Sequence, residues 1–259
     1  LLKELNEAQA ALNGASAAAM KSADNFYQGD ASKWRKFANS LMLRVAMRMS
    51  KVDPAAAEQW VKTAVANGVF ESDADNCMLM HAGGLTTNDS SEPYAKIYSH
   101  EDRGNFFLTK YFVDLLKSTN DPRLSLIGTV CEDPTISVQA GSDFQYGNSD
   151  PAVQKGLPSG FSDSPDSPWF VGNKYPEFKD EDYRSTYRSR YSTINRYTYS
   201  DPTGPTFVCT YAQTQLLLAE AAVRGWVDGS AQTYYENGVR AACGSSHSSP
   251  TARRCIISI

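Results

Sequence analysis

The stretch that decides the fold reads NFYQGDASKWRKFANSLMLRVAMR and occupies residues 25–48. Its first six residues, Asn25 to Asp30, have the composition of a turn. Apolar residues then recur three or four positions apart, namely at Trp34, Phe37, Ala38, Leu41, Met42, Val45 and Met49. Because this spacing places them on one helical face, the sequence predicts an amphipathic helix from about Ala31 to Ser50.

A second helix is predicted directly after the first. Asp53 is a favourable N-cap, Pro54 suits the first helical position and Gly68 suits a left-handed C-terminal stop. The apolar stripe between these signals consists of Ala57, Trp60, Val61, Ala64 and Val65. The sequence therefore predicts a helix from Pro54 to Asn67 that packs antiparallel to its predecessor.

A second helix pair is predicted near the end of the chain. The segment Tyr211 to Arg224 is apolar nearly all round, which is typical of a buried helix. Gly225 stops it, and Ser230 caps a further helix from Ala231 to Ala242. Two helix pairs of similar length indicate a mainly α fold, built as a tetratricopeptide-like stack with a long loop-rich insertion.

The region between the two pairs has a different composition. One helix is predicted from Asn105 to Ser118, and Pro134 to Pro205 then contains eight of the 12 prolines and seven of the 14 tyrosines. Loops longer than about 12–15 residues in compact domains are usually functional or disordered. We therefore expect function to reside in this excursion.

Composition and charge exclude several classes of protein. The 259 residues are 41% hydrophobic and 21% charged, with a formal net charge of −4, which is typical of a globular protein and disfavours nucleic acid as a partner. No apolar run approaches the roughly 20 residues of a membrane-spanning helix. The five cysteines are scattered and never spaced as C-x-x-C, and only three histidines are present, so neither a zinc site nor a disulfide framework is predicted.

Three stretches resemble a known family. Residues 25–48 resemble the signature of SusD/RagB-like outer-membrane lipoproteins, and Asn120 to Leu124 is similar to a second element of that family. Leu217 to Trp226, together with Tyr235 to Val239, looks like a third. The resemblance runs in order from Asp24 to about Ala242, and we interpret residues 1–242 as a single SusD-like helical domain.

The resemblance implies a lipid-anchored, surface-exposed nutrient-binding protein of the outer membrane. Such a protein binds a glycan, or in some branches a peptide, and works with a SusC-like TonB-dependent transporter without catalysis or cofactor. The lipobox cysteine of the family is absent from this sequence, so an anchor is expected upstream of Leu1. Residues 243–259 do not resemble the family's continuation and are interpreted as an atypical tail, either truncated or non-native.

Aromatic residues in the excursion are the predicted ligand-binding residues. Sugars stack their C–H faces on aromatic rings, and tyrosine adds a hydroxyl for hydrogen bonds. The candidates are Trp169, Tyr175, Tyr187 and Tyr191, with Arg188 available for carboxylates. A peptide-binding member of the family, a helical-repeat scaffold that binds proteins and, less favoured, a glycoside hydrolase remain as alternatives.

Two carboxylate patterns invite other interpretations. Glu220 is the one charge in a nearly apolar helix, so we expect it to be buried and paired with Arg44 or Arg48. A hydrolase needs a second carboxylate, and none is near it in sequence. The run Glu71, Asp73, Asp75 and Asn76 alternates oxygens but lacks the glycine and distal glutamate of an EF-hand, which favours a solvated turn and no metal site.

Overall fold

The computed structural model describes residues 1–15, 20–83, 93, 97, 106–131, 146–159, 191–195, 198–199 and 201–245. The α-helices are α1 (Leu2–Ala11), α2 (Ala31–Arg48), α3 (Pro54–Ala66), α4 (Lys110–Ser118), α5 (Leu124–Ile127), α6 (Tyr211–Val223) and α7 (Ala231–Ser245). The strands are β1 (Cys77–Leu79), β2 (Gly128–Cys131), β3 (Tyr146–Asn148), β4 (Thr193–Ile194) and β5 (Thr206–Cys209). The strands are short, so the predicted mainly α class is confirmed.

The chain divides into two compact units, which we describe separately. Unit 1 comprises Leu1–Met80 and Pro205–Ser248, and unit 2 comprises His81–Gly204 and Ser249–Ile259. Both predicted helix pairs fall in unit 1. The predicted excursion falls in unit 2, apart from its last residue.

The first helix pair of unit 1 follows the signals in its sequence. The Asp30 carboxylate accepts hydrogen bonds from Ser32 N and Lys33 N at 2.9 and 3.2 Å, which starts α2. Asp53 accepts from Ala56 N at 3.0 Å and starts α3. Gly68 has a φ of 91° and ends the pair in the left-handed region that glycine adopts without strain. The predicted bounds are confirmed to within two residues.

The second pair is built in the same way. Thr210 accepts from Gln213 N at 3.1 Å at the start of α6, and Ser230 Oγ accepts from Thr233 N at 3.3 Å at the start of α7. Gly225, with a φ of 72°, separates the two helices. Helix α7 continues to Ser245, beyond the predicted end at Ala242.

One apolar core holds the two pairs together. Helices α2, α3 and α6 contribute Met42, Leu43, Ala46, Met47, Ala57, Val61, Ala64, Leu218 and Ala221, and Val69 and Trp226 complete the core. Leu2 and Leu5 of α1 pack against the same cluster. The stacked-pair architecture predicted from the sequence is therefore confirmed, with α2 and α6 as its inner helices.

Beside this core, unit 1 contains a two-stranded antiparallel sheet formed by β1 and β5. Strand β1 lies at the end of the first sequence segment of unit 1 and β5 at the start of the second, and their register pairs Cys77 with Cys209. Both cysteines lie in a second apolar cluster with Tyr27 and Phe70, against which Trp34 packs. The sheet thus joins the segment that follows the first helix pair to the segment directly before α6.

In unit 2, helix α4 starts later than predicted. It begins at Lys110 instead of Asn105 because Thr109 accepts from Phe112 N at 3.3 Å and caps it there. Its buried residues are Val113 and Leu116, whereas Tyr111 is 78% exposed. The helix lies beside a three-stranded sheet in the order β3-β2-β4, with both strand pairs antiparallel.

Glu220 does not occupy the position predicted for it. Its side chain is 48% exposed, and its Oε1 accepts a hydrogen bond from Arg224 Nη2 at 2.6 Å, one helical turn away. Arg44 instead donates to Val208 O and Gln213 Oε1, and Arg48 is exposed. The predicted buried pair is wrong because α6 buries only one of its faces, and Glu220 lies on the other.

Replacing Glu220 with glutamine is therefore expected to change the free energy of unfolding by no more than about 0.5 kcal/mol, since exposed pairs one turn apart contribute little. Arg224→Gln should cost more, because the Arg224 guanidinium also lies 5.2 Å from the centroid of the Trp226 ring. Urea unfolding of the two variants checks this order. If Glu220→Gln lowered the free energy of unfolding by more than about 2 kcal/mol, the result would instead support a buried ion pair.

Among the described residues, none of the helices combines the length and the apolar composition needed to cross a bilayer.

Candidate functional site

Of the excursion, the structure describes residues 146–159, 191–195, 198–199 and 201–205. Residues 160–190, between the first two of these parts, lie outside the described residues. Ser192 N donates to Lys155 O at 2.7 Å, and Lys155 N donates to Ser192 Oγ at 2.8 Å. The segments before and after residues 160–190 are thus fastened side by side, and this junction, residues 154–157 with 191–193, is called the excursion base.

The excursion base is attached to the start of α4 by main-chain hydrogen bonds. Leu108 N donates to Ser192 O, and Leu157 N donates to Leu108 O, both at 2.8 Å. Lys110 N donates to Leu157 O at the same distance. These main-chain hydrogen bonds therefore join three chain segments and fix the position of the chain on both sides of residues 160–190.

Gln154 connects the excursion base to the sheet of unit 2. Its side chain is buried, and its Nε2 donates to Gly128 O and to Asn148 O, each at 3.1 Å. Because a buried amide that pairs with main-chain carbonyls is costly to displace, this residue ties the base to β2 and β3. The base is thereby held on two sides, by α4 and by the sheet.

Tyr191, a predicted ligand-binding residue, is packed into the excursion base. Its side chain is 1% exposed, its ring meets Phe107 edge-on at a centroid distance of 6.4 Å, and Lys155 Nζ lies 5.5 Å from the ring centroid. This burial differs from the exposed position that stacking on a ligand requires. The physical reason is that the ring fills space beside the start of α4, where the segments on both sides of residues 160–190 are joined.

The other predicted ligand-binding residues, Trp169, Tyr175, Tyr187 and Arg188, lie outside the described residues, so their assignment stays a prediction. Of the described rings in unit 2, Tyr111 is the most exposed. Tyr111 lies roughly opposite the buried Val113 and Leu116 on α4.

Unit 1 carries a groove at the ends of α3 and α6. It has a volume of about 480 Å³ and is lined by Lys62, Val65, Ala66, Gly225, Trp226, Val227 and Asp228. Trp226 belongs to the core and is buried, with the Arg224 guanidinium over its ring. The groove therefore does not present an open aromatic face of the kind on which sugars stack.

The turn before α2 is organised by one carboxylate. Asp24 accepts hydrogen bonds from Phe26 N at 3.0 Å, Tyr27 N at 3.1 Å and Gly29 N at 2.8 Å. Its Oδ2 also accepts from Trp34 Nε1 at 2.8 Å. Desolvation opposes ionisation of Asp24, but these hydrogen bonds outweigh it and lower the pKa of the carboxyl to about 2.

This pKa predicts an acid-dependent loss of stability. A carboxyl whose pKa is lowered in the folded protein contributes stability that is complete above its ordinary value of 3.8 and disappears as the pH falls towards 2. Because the carboxylate is partly open to solvent, which screens its interactions, we expect a contribution of about 1 kcal/mol.

Unfolding free energies measured between pH 5 and pH 2 for the native chain and for Asp24→Asn check this prediction. The difference between the two proteins should shrink as the pH falls through this window, because the native carboxyl becomes neutral as well. A difference that stays constant with pH would contradict it.

In the acidic turn at Glu71 to Asn76, one lysine pairs with two of the three carboxylates. Lys36 Nζ lies 2.6 Å from Glu71 Oε2 and 3.2 Å from Asp75 Oδ2. Asp75 Oδ2 also accepts from Glu71 N at 2.9 Å, which makes it part of a short capped turn. Within the ranges that the structure describes, there is no group of three or more His, Cys, Asp or Glu residues arranged to hold a metal ion.

The comparisons with known proteins agree with this architecture. A family model described as "Starch-binding associating with outer membrane" matches residues 1–250. The chain belongs to the SusD-like family. No curated protein sequence matches the chain.

Several solved structures are similar to the chain over nearly all its length. A chitin-binding protein is 32% identical, with a TM-score of 0.68, and the match covers 95% of this chain and 46% of that one. A chitin-binding SusD homologue from Flavobacterium johnsoniae is 25% identical, with a TM-score of 0.65, covering 95% of this chain and 43% of that one. For a SusD-like protein from Bacteroidetes, AC2a, the identity is 24%, the TM-score 0.76 and the coverage 97% and 54%. The chain therefore spans about half the length of these structures.

Proposed function

We propose that this SusD-like protein binds a glycan at the surface of an outer membrane and delivers it to a SusC-like TonB-dependent transporter. The observation that supports it most is the family match over residues 1–250, under a description that links starch binding with the outer membrane. A lipid anchor upstream of Leu1 belongs to the same proposal. Chitin-type oligosaccharides are the first ligands to test, because the 32% identical structure is a chitin-binding protein.

The excursion in unit 2 is the proposed location of the ligand site. Hydrogen bonds between Lys155 and Ser192 fasten the excursion base, so the chain on both sides of residues 160–190 is fixed before a ligand arrives. A segment whose ends are fixed loses less conformational freedom on binding than one that is free. Trp169, Tyr175 and Tyr187 are the proposed stacking residues, with Arg188 as a polar partner.

Tyr191 has a supporting role in this proposal. Its buried ring stands at the point where residues 160–190 rejoin the folded unit, next to Lys155. We propose that it orients the excursion and does not stack on the sugar itself. The conservative variant Tyr191→Phe, which keeps the ring, should therefore bind as the native protein does.

Calorimetric titration with oligosaccharides tests the function. N-acetylchitohexaose, maltohexaose and cellohexaose, each titrated into the purified protein, separate chitin-type, starch-type and cellulose-type specificity. We expect one of the three to bind, and Trp169→Ala to weaken it roughly tenfold or more, equivalent to at least about 1.4 kcal/mol.

Tyr111→Ala is the matched control for loss of a ring. Tyr111 is an exposed aromatic residue of unit 2 that lies outside the excursion, so its removal should leave the affinity unchanged. Equal affinity of the native protein and Trp169→Ala would reject the proposed site. No heat with any of the three sugars, together with binding of a peptide library, would favour the peptide-binding alternative, and hydrolysis of a bound sugar would overturn the non-enzymatic assignment.

A further inference from the structure

Strands β1 and β5 bring two cysteines face to face that are far apart in the sequence. The antiparallel register makes Cys77 and Cys209 direct partners. Their side chains are 1% and 3% exposed, and the structure holds both as free thiols. Neither cysteine takes part in the proposed glycan site, which lies in unit 2.

The register of the two strands is compatible with a disulfide. Directly opposite residues of an antiparallel pair point to the same face, with Cα atoms about 4.5–5.5 Å apart. A disulfide joins Cα atoms that are about 4.4–6.8 Å apart. The register shifts between Cys77 and Met78, so the backbone next to this pair departs from regular strand geometry.

The surroundings of the two thiols are shared as well. Both side chains belong to one apolar cluster with Tyr27 and Phe70, so both point into the same part of unit 1. Cys209 Sγ lies 3.8 Å from Gln213 Oε1, which is a weak contact. Its loss on oxidation would leave Gln213 Oε1 with a hydrogen bond, because Arg44 donates to the same oxygen at 3.2 Å.

We propose that Cys77 and Cys209 form an intramolecular disulfide that links β1 to β5 within unit 1. The loop that it closes contains every residue from 78 to 208, and so the whole of residues 81–204. The bond would therefore fasten together the two points at which the chain leaves unit 1 and returns to it.

The chemistry requires a disulfide as the oxidant, for which oxidised glutathione is a suitable representative. One cysteine thiolate attacks a glutathione sulfur, breaks its S–S bond and releases one reduced glutathione. The second cysteine thiolate then attacks the mixed disulfide and releases the other. The protein pair loses two electrons and two protons, and one oxidised glutathione becomes two reduced molecules.

Burial determines when this reaction takes place. Burial raises the pKa of both thiols. A hydrogen bond with Tyr27 lowers the pKa of Cys77 and the charge of Arg44 lowers that of Cys209, but burial has the larger effect on each. Since the thiolate is the reacting species, oxidation of the folded protein should be slow and oxidation during folding fast. An exported protein folds in an oxidising compartment, which is the setting that this proposal requires.

Peptide mapping of the native chain is the direct test. The purified chain is refolded with a mixture of reduced and oxidised glutathione, alkylated with iodoacetamide and digested with trypsin. We expect residues 63–96 and 197–224 to be recovered as one linked pair that separates on reduction. Reduction of the refolded protein should lower its Tm by about 5–15 °C, because a long closed loop constrains the unfolded chain.

Two variants make the mapping specific. Cys243→Ala should leave the linked pair in place, whereas Cys209→Ala should yield Cys77 in its alkylated form. Alkylation of both Cys77 and Cys209 after oxidative refolding, or linkage of Cys77 to a peptide that contains Cys131, Cys243 or Cys255, would overturn the proposal. The mapping of the native chain gives this answer even if a variant fails to fold.

Discussion

Replacing Trp34 with alanine is expected to lower the free energy of unfolding of unit 1 by about 3 kcal/mol, near the lower end of the range for large aromatic residues because the side chain is only partly buried. Its ring meets Tyr27, Phe37 and Phe26 edge-on, at centroid distances of 5.1, 5.6 and 5.9 Å. Its Nε1 also donates to Asp24. The substitution therefore removes three ring contacts and one hydrogen bond from the turn that starts α2.

Trp34→Phe separates the two contributions. It keeps an aromatic ring but removes the indole N–H, so it should lose about 1.5 kcal/mol, the lower end of the range for a hydrogen bond to a charged group, because the Asp24 carboxylate is partly open to solvent. Chemical denaturation followed by circular dichroism suits the measurement, because the two stacked helix pairs lie in unit 1. Unchanged stability in Trp34→Ala would mean that this cluster does not support α2.

The two helix pairs could be predicted because their signals are local. Asp30, Asp53 and Gly68 act on main-chain groups within a few residues, and the apolar period of α2 and α3 identifies one face each. These features depend little on the rest of the chain. A contiguous stretch of sequence therefore contains nearly all the information that determines them.

The orientation of α6 could not be predicted because its composition has no period. When nearly every residue is apolar, the sequence does not identify the face that will be buried. In the structure Thr214 and Gln215 are buried, whereas Leu216 and Val223 are at least partly exposed. Glu220 follows the exposed face and pairs with Arg224. Packing against α2 and α7 determines which face of α6 is buried, and this packing depends on other parts of the chain.

For the candidate site, too, local features could be predicted from the sequence, whereas contacts between distant segments could not. Proline and tyrosine content located the excursion, but composition does not distinguish a ring that faces solvent from one that closes the base, as Tyr191 does. The opposition of Cys77 and Cys209 was missed for a related reason. Spacing rules for cysteines recognise local patterns, whereas this pair is created by the register of two strands from distant segments.

Gly156 is the position at which the smallest substitution should have a large effect. A Cβ atom there would lie 2.4 Å from Thr109 O, 2.5 Å from Lys110 Cα and 2.6 Å from Lys110 N. All three are main-chain atoms, which cannot move aside as the end of a side chain can. We expect Gly156→Ala to destabilise unit 2 by about 3 kcal/mol, at the upper end for an overpacked site, because the chain must separate where Lys110 N donates to Leu157 O.

Gly244→Ala is the matched control for this substitution. Gly244 lies in α7 with open space around the added methyl group, so alanine should be neutral there or stabilise by up to about 1 kcal/mol through helix propensity. Hydrogen exchange at Leu108, Lys110 and Leu157, whose amides form the ladder of the excursion base, reports the local effect.

The Gly156→Ala variant also connects the excursion base to the proposed glycan site. If the base orients residues 160–190, faster exchange at these three amides should be accompanied by weaker binding of the sugar that the native protein prefers. Faster exchange with unchanged affinity would mean that the ligand contacts do not depend on the base. Unchanged exchange in Gly156→Ala would contradict the close main-chain approach from which the effect is derived.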